Sequence, residues 1–234
     1  MESAAPKPSE PSHLSQGAAS PSLRQRLILA TAGACLLASQ YIASRELGST
    51  FFVTELSLVA ATVMTLLGPS LGYALSLKFR LPIRAVTIWA LLALFLQWML
   101  PFGIRTIWAT LSHAHPWMAA SILAVALSVI CGYYSFILPL ISKPTSIPQL
   151  YAAELAGASL MLLGIFAAPS HESLVRVYFL LAALLIGLAH GRALGLLAAL
   201  LSLGWGAGIG TLDRRAAELY FHNIHGIPHP QLVE

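Results

Sequence analysis

Arg45-Glu46-Leu47-Gly48-Ser49-Thr50-Phe51-Phe52-Val53-Thr54-Glu55-Leu56-Ser57 opens an apolar run that continues to Leu77. A second run holds Tyr151-Ala152-Ala153-Glu154-Leu155-Ala156-Gly157-Ala158. About 20 mainly apolar residues are enough to cross the hydrocarbon of a bilayer as a helix. A carboxylate inside such a segment is costly unless it is paired, neutralised or turned toward a polar cavity. Glu55 and Glu154 therefore mark both the fold, a set of membrane helices, and the places where chemistry is to be sought.

Composition agrees. The 234-residue chain is 57% apolar and only 9% charged, with a mean hydropathy of +0.77, whereas about a quarter of a soluble domain is charged. Its Lys and Arg are scattered between apolar runs rather than gathered into a patch, so nothing points to nucleic acid. Cys35 and Cys131 lie far apart inside apolar stretches, read as buried thiols, and form no CxxC or Cys/His zinc spacing.

Working outward, residues 1–22 are rich in Pro, Ser and Ala without an apolar period and read as a disordered tail. Seven spans follow: Leu27–Ser44, Phe51–Leu77, Ala85–Pro101, Trp117–Ile141, Leu150–Ala168, Leu174–Ala189 and Ala193–Leu212. The first is read as an uncleaved span rather than a secretory leader. Phe102–His115 has one apolar helical face and reads as an interfacial helix, and residues 213–234 as a short polar tail. Pro69 and Pro139 should kink or end their spans, and most of the five Trp lie toward segment ends, as interfacial indoles do. With the N-terminus inside, eight Lys and Arg fall in inner segments and five in outer ones. The positive-inside rule thus places the N-terminus in the cytoplasm and, with seven spans, the C-terminus outside.

Each candidate site residue has two readings. Glu55 and Glu154 sit one to two turns below a helix N-terminus, where the helix dipole favours an ionised carboxylate. They either accept hydrogen bonds from neighbouring helices or line a cavity for a cation, a proton or a small polar substrate. Arg45 and Glu46 form a local ion pair, or Glu46 joins Glu55 and a basic residue, Arg84 or Arg105, in one polar pocket. Gln97 and His190, near span ends, read as interfacial or interhelical hydrogen-bonding groups. The glycines of Leu203-Gly204-Trp205-Gly206-Ala207-Gly208-Ile209-Gly210 lack the strand a nucleotide loop requires. Like Gly68/Gly72 and Ala153/Gly157, they read as small-residue seams for helix packing in lipid. His222, His225 and His229 could bind zinc or copper, but no Cys, Asp or Glu sits among them, and solvated tail residues is the plainer reading. No catalytic constellation and no cofactor motif is legible.

Several segments are similar to a known family. Ser39-Gln40, Arg45-Glu46-Leu47, Phe52 and Glu55-Leu56-Ser57, with the apolar run into Gly72, resemble the start of the transmembrane region of bacterial spermidine synthase-like membrane proteins. Gly132-Tyr133-Tyr134-Ser135-Phe136-Ile137-Leu138-Pro139-Leu140 resembles that family's helix ending in Pro-Leu, and Tyr151 to Ala158 its next helix. His171 through Leu188, with Leu174-Val175-Arg176, continues the likeness, which covers roughly residues 27 to 212 and is most specific from Ser39 to Ser57. The family carries a soluble aminopropyltransferase-type domain after its last span. About 22 residues follow the last span here, fewer than the roughly 30 residues of a single βαβ unit.

The sequence therefore predicts an all-α, polytopic transmembrane bundle of about seven spans in a bacterial inner membrane. The resemblance implies a module without the soluble catalytic domain, acting as a scaffold for a soluble aminopropyltransferase-like partner or binding a small, polyamine-like cation. Glu55 and Glu154 would face the ligand, and Arg45 and Glu46 would form a gate or structural pair. The alternative is a small secondary transporter or exporter that uses the buried carboxylates.

Overall fold

The computed structural model describes residues 20–51, 55–79, 81–112, 114–142 and 146–226, without the side chains of residues 51, 55–62, 64, 65 and 77. Seven helices make up the described chain: α1 (Leu23–Phe51), α2 (Glu55–Lys78), α3 (Ile83–Leu111), α4 (Pro116–Ile141), α5 (Ile147–Ala167), α6 (His171–His190) and α7 (Arg192–His225). In hydrocarbon no water satisfies the backbone, so apolar runs of this length fold as helices that bond within themselves. Six are long and apolar enough to cross a membrane. The remaining one, α2, has 24 residues, about 36 Å at the helical rise.

Local chemistry sets the ends. Ser22 and Gln25 form a reciprocal cap at the start of α1, the Gln25 side chain accepting from the Ser22 amide at 2.9 Å and the Ser22 hydroxyl from the Gln25 amide at 3.3 Å. Ser170 and Ser173 do the same for α6. Pro116 opens α4 at a position whose amide has no helical partner. Gly226, at φ 64°, closes α7 in the left-handed region that glycine enters without a Cβ clash.

The helices alternate in direction. Arg24 at the start of α1 reaches the Leu188 carbonyl near the end of α6, Gln25 reaches the Ile141 carbonyl at the end of α4, and Glu46 near the end of α1 meets Arg105 of α3. The end where α1 begins carries Arg24, Arg26, Lys78, Arg84 and Arg192 and no acid among the described residues; it is the basic end. The opposite, mixed end holds Glu46, Glu172, Asp213 and Glu218 among several arginines. α1 and α4 are the most enclosed helices and α5 the least, with Phe166 of α5 81% exposed where lipid would surround it.

Three expectations change. α3 does not end at Pro101, and no separate interfacial helix follows: the helix runs on to Leu111, burying Ile104 and Ala109. That packing compensates the backbone bond Pro101 removes. α7 likewise passes residue 212 and remains helical to His225, because its polar extension has partners. Tyr220 donates to the Thr50 carbonyl at 2.5 Å and Asn223 to the Ala109 carbonyl at 3.2 Å. Among the tryptophans, Trp117 is exposed at a helix start, but Trp89, Trp98 and Trp205 direct their indole N–H inward, to Val129, Ser202 and Trp98. They are interhelical donors rather than an interfacial belt.

The small-residue seams act unequally. Gly68 and Gly72 of α2 lie against Gly132 of α4, and Gly157 of α5 against the Ala30 backbone of α1, so closely that an added Cβ would collide. Gly206 and Gly210 meet Arg176 and Glu172 of α6, whereas Gly204 and Gly208 face open space. Gly157→Val should therefore destabilise the bundle by about 1–3 kcal/mol, the usual cost of overpacking, lowering Tm in detergent. Gly208→Val should leave Tm within a degree or two of the parent, a shift of about 0.5 kcal/mol or less.

Candidate functional site

Glu154 lies in the eighth position of α5, 5% exposed. Its level in the bundle is that of Ala30 and Gly33 on α1, since the missing side chain of Gly33 lets the Glu154 backbone carbonyl approach α1 directly. The phenol of Tyr73 on α2 is the polar group that lies near the Glu154 carboxylate. The second oxygen, Oε2, is buried and has no hydrogen-bond partner, and no ion pair to Glu154 forms among the described residues. Tyr151, one turn earlier on α5, is within electrostatic range of Tyr73. The arrangement is an acid and two phenols among apolar helices, with no paired cation among the described residues.

Glu46 has a different setting. It is 1% exposed, and its cationic partner is Arg105 rather than its neighbour Arg45, which is exposed. Arg105 places Nε at 2.7 Å and Nη2 at 2.6 Å from Glu46 Oε2, and Nη2 also at 2.9 Å from Asp213 Oδ1 on α7. His171, the first residue of α6, sits with Nε2 3.6 Å from the other Glu46 oxygen. Ser49 and Thr50 return their hydroxyls to the Glu46 carbonyl at 2.9 and 2.7 Å. α1, α3, α6 and α7 thus converge on one ion cluster. A carboxylate held on one oxygen by two guanidinium N–H groups is a clamp between helices, not an open ligand site.

Between these levels lies a knot of buried polar groups. Ser39 donates to the Cys35 carbonyl at 2.7 Å, so its hydroxyl accepts from Tyr178, 2.5 Å away. Gln97 donates to the Tyr178 carbonyl at 3.1 Å and accepts from the Tyr134 hydroxyl. α1, α3, α4 and α6 are joined by these four side chains, each no more than 2% exposed. Cys35 and Cys131 are free buried thiols.

The structure does not gather the sequence candidates into one pocket. Glu46 lies thirteen residues beyond Gly33 on α1, about 20 Å along the axis, so Glu46 and Glu154 serve separate sites. Glu55 begins α2 at the mixed end, eighteen positions before Tyr73, and its backbone is therefore about 27 Å of helix away from the Glu154 level. The Glu55 side chain lies outside the described residues. Arg84 is at the basic end, away from Glu46, so Arg105 is the basic partner. Gln97 and His190 make interhelical bonds, His190 to Tyr133 and Thr87. His222 and His225 are exposed on α7, and His229 lies outside the described residues; among the described residues no group of three His, Cys, Asp or Glu could hold a metal ion. His171, Asp213 and Tyr73 were not among the sequence candidates. The one sequence signal for Asp213 is its place as the first charge after a long apolar run.

Comparison with family models, with curated proteins and with solved structures finds no match. Fold and site define a class: a multi-pass, all-helical membrane protein with a buried ion cluster at one end and an uncompensated carboxylate in its interior.

Removing one partner of a buried pair leaves the other charge stranded. Arg105→Met should therefore cost about 3–5 kcal/mol of stability. The double variant Glu46→Gln/Arg105→Met should recover part of that loss, and thermal denaturation of the single and double variants checks it. Losses that simply add would show that Glu46 and Arg105 do not depend on each other.

Proposed function

We propose that this chain is a multi-pass module of a bacterial inner membrane, its basic end in the cytoplasm, that binds a small organic cation at Glu154. One observation carries the reading: Glu154 Oε2 is buried without a partner, and no basic side chain among the described residues pairs with it. An ionised carboxylate in that position calls for a cation from outside the chain. The neighbouring phenols narrow the class. Tyr73 and Tyr151 offer ring faces and hydroxyl oxygens that suit an ammonium carried on methylene groups, as in a polyamine. Glu46, already held by Arg105 and beside Asp213 and His171, is assigned to structure. The eight Lys and Arg that the sequence assigns to the cytoplasmic side, against five on the other, support the orientation.

A second reading, transport, has its own support. α5 is the least enclosed helix and packs mainly on α1, and the Tyr73–Glu154 contact joins it to α2. A cation that takes Glu154 from Tyr73 would loosen that join and open a path between the two helices.

Spermidine titrated into the detergent-purified chain should raise Tm saturably, by mass action on the folded state. Glu154→Gln should abolish the shift, and Tyr73→Phe should weaken binding about two- to ten-fold, the worth of one hydrogen bond. An undiminished shift in Glu154→Gln would overturn the assignment. In proteoliposomes, spermidine uptake lost in Glu154→Gln would add transport to binding; binding without uptake leaves a receptor or scaffold.

A further inference from the structure

At the basic end a cavity of about 480 Å³ opens between α1, α3, α4 and α6. Its walls are apolar, formed chiefly by Ile28, Val86, Ile137 and Ile141, and its rim carries Arg24 and His190. This volume lies within the roughly 300–1,000 Å³ range of small-molecule sites. It is separate from Glu154, since α5 contributes nothing to its lining.

The rim chemistry decides what it could hold. Thr87 donates its hydroxyl to the Ile83 carbonyl at 2.9 Å, so it accepts from His190 Nδ1 at 3.2 Å. His190 Nε2 shares a hydrogen bond with the Tyr133 hydroxyl at 2.9 Å. Both ring nitrogens are thereby committed to partners within the protein. Arg24 is different. Nε and Nη2 each give a hydrogen bond to the Leu188 carbonyl, at 3.1 and 2.7 Å, which fixes the guanidinium at the rim. A guanidinium has five N–H donors; two are used here and three remain. Arg26, Arg84 and Arg192 lie at the same end, which has no acidic residue among the described residues.

We infer that this cleft is a binding site for an anionic phospholipid of the adjoining leaflet, its phosphate on Arg24 and one acyl chain between α1, α3 and α4. Charge and shape point to the same occupant. A lone phosphate would satisfy the rim and leave the apolar walls in water, whereas a zwitterionic lipid would fill the walls and bring a cation to an all-basic end. Basic pockets between transmembrane helices are suited to acidic headgroups in this way. The inference does not depend on what Glu154 binds.

The test is native mass spectrometry of the full chain released from detergent with equimolar phosphatidylglycerol and phosphatidylcholine. The parent should retain phosphatidylglycerol in preference. Arg24→Ala should reduce that preference about five-fold, the worth of one cation at a membrane surface. Arg26→Ala removes the same charge from the same end without touching the cleft and should change it little. Val86→Phe narrows the acyl slot while keeping Arg24 and should lower occupancy by both lipids; it also keeps the question open to measurement if Arg24→Ala unfolds. Equal retention of the two lipids, or equal losses in Arg24→Ala and Arg26→Ala, would overturn the site. Displacement of phosphatidylglycerol by millimolar inorganic phosphate would show that the anion alone is the ligand and overturn its assignment to a lipid.

Discussion

The hydrogen bonds that join Ser39, Gln97, Tyr134 and Tyr178 impose the constraint on which the remaining packing depends. Within a bilayer no hydrophobic force gathers the helices, because lipid tails are as apolar as leucine. Association must come from close packing and from polar groups that hydrocarbon cannot solvate. Four helices meet at this knot, and each would expose an unsatisfied polar group if it withdrew. Around it the small-residue seams bring α2 onto α4 through Gly68 and Gly72, and α5 onto α1 through Gly33 and Gly157. The knot fixes which helices are central; the glycines fix how closely the peripheral ones approach.

Two buried glutamates then show how environment assigns role. The Glu46 carboxylate meets a guanidinium and an imidazole at the end where α1, α3 and α7 extend beyond their expected bounds. Its charge is spent within the protein. Glu154 has a single phenol and a bare oxygen. The long extensions of α1, α3 and α7 give Arg105 somewhere to reach, since its partners Glu46 and Asp213 come from helices that would otherwise have ended. α5 has no such extension and brings no basic residue to Glu154.

Much of this was legible in the sequence, and what was missed has identifiable causes. Apolar length located all seven helices, and the bounds of α4, α5 and α6 fall within three residues of those expected, because bilayer thickness sets a local rule. The ends of α1, α3 and α7 were misjudged since their polar last turns are stabilised by partners distant in sequence. Pro101 reads as a stop only if the residues after it have nothing to pack against. Arg45 adjoins Glu46 in sequence yet points elsewhere, while Arg105 is 59 residues away and makes the pair. The same distance hid Tyr73 and His171: no periodicity along one helix reveals what a second helix will bring to it. Trp89, Trp98 and Trp205 misled for a related reason, since an indole N–H near a span end is satisfied by a headgroup or by a neighbouring carbonyl, and sequence alone does not show which neighbour exists.

The charge pattern adds a last step. Among the described residues every acid except Glu154 lies at the mixed end, and the basic end holds only cations. A carboxylate placed among those arginines would have been neutralised by one of them, as Glu46 is by Arg105. Set instead seven residues into α5, beside Gly33, Glu154 pairs with none of the described arginines. Its isolation is thus a product of two features of the chain: acids kept from the basic end, and one acid carried inward on the helix that packs most tightly against α1. Among the described residues no basic side chain pairs with Glu154, whereas Arg105 holds Glu46, and that difference is what separates the two buried glutamates of this bundle.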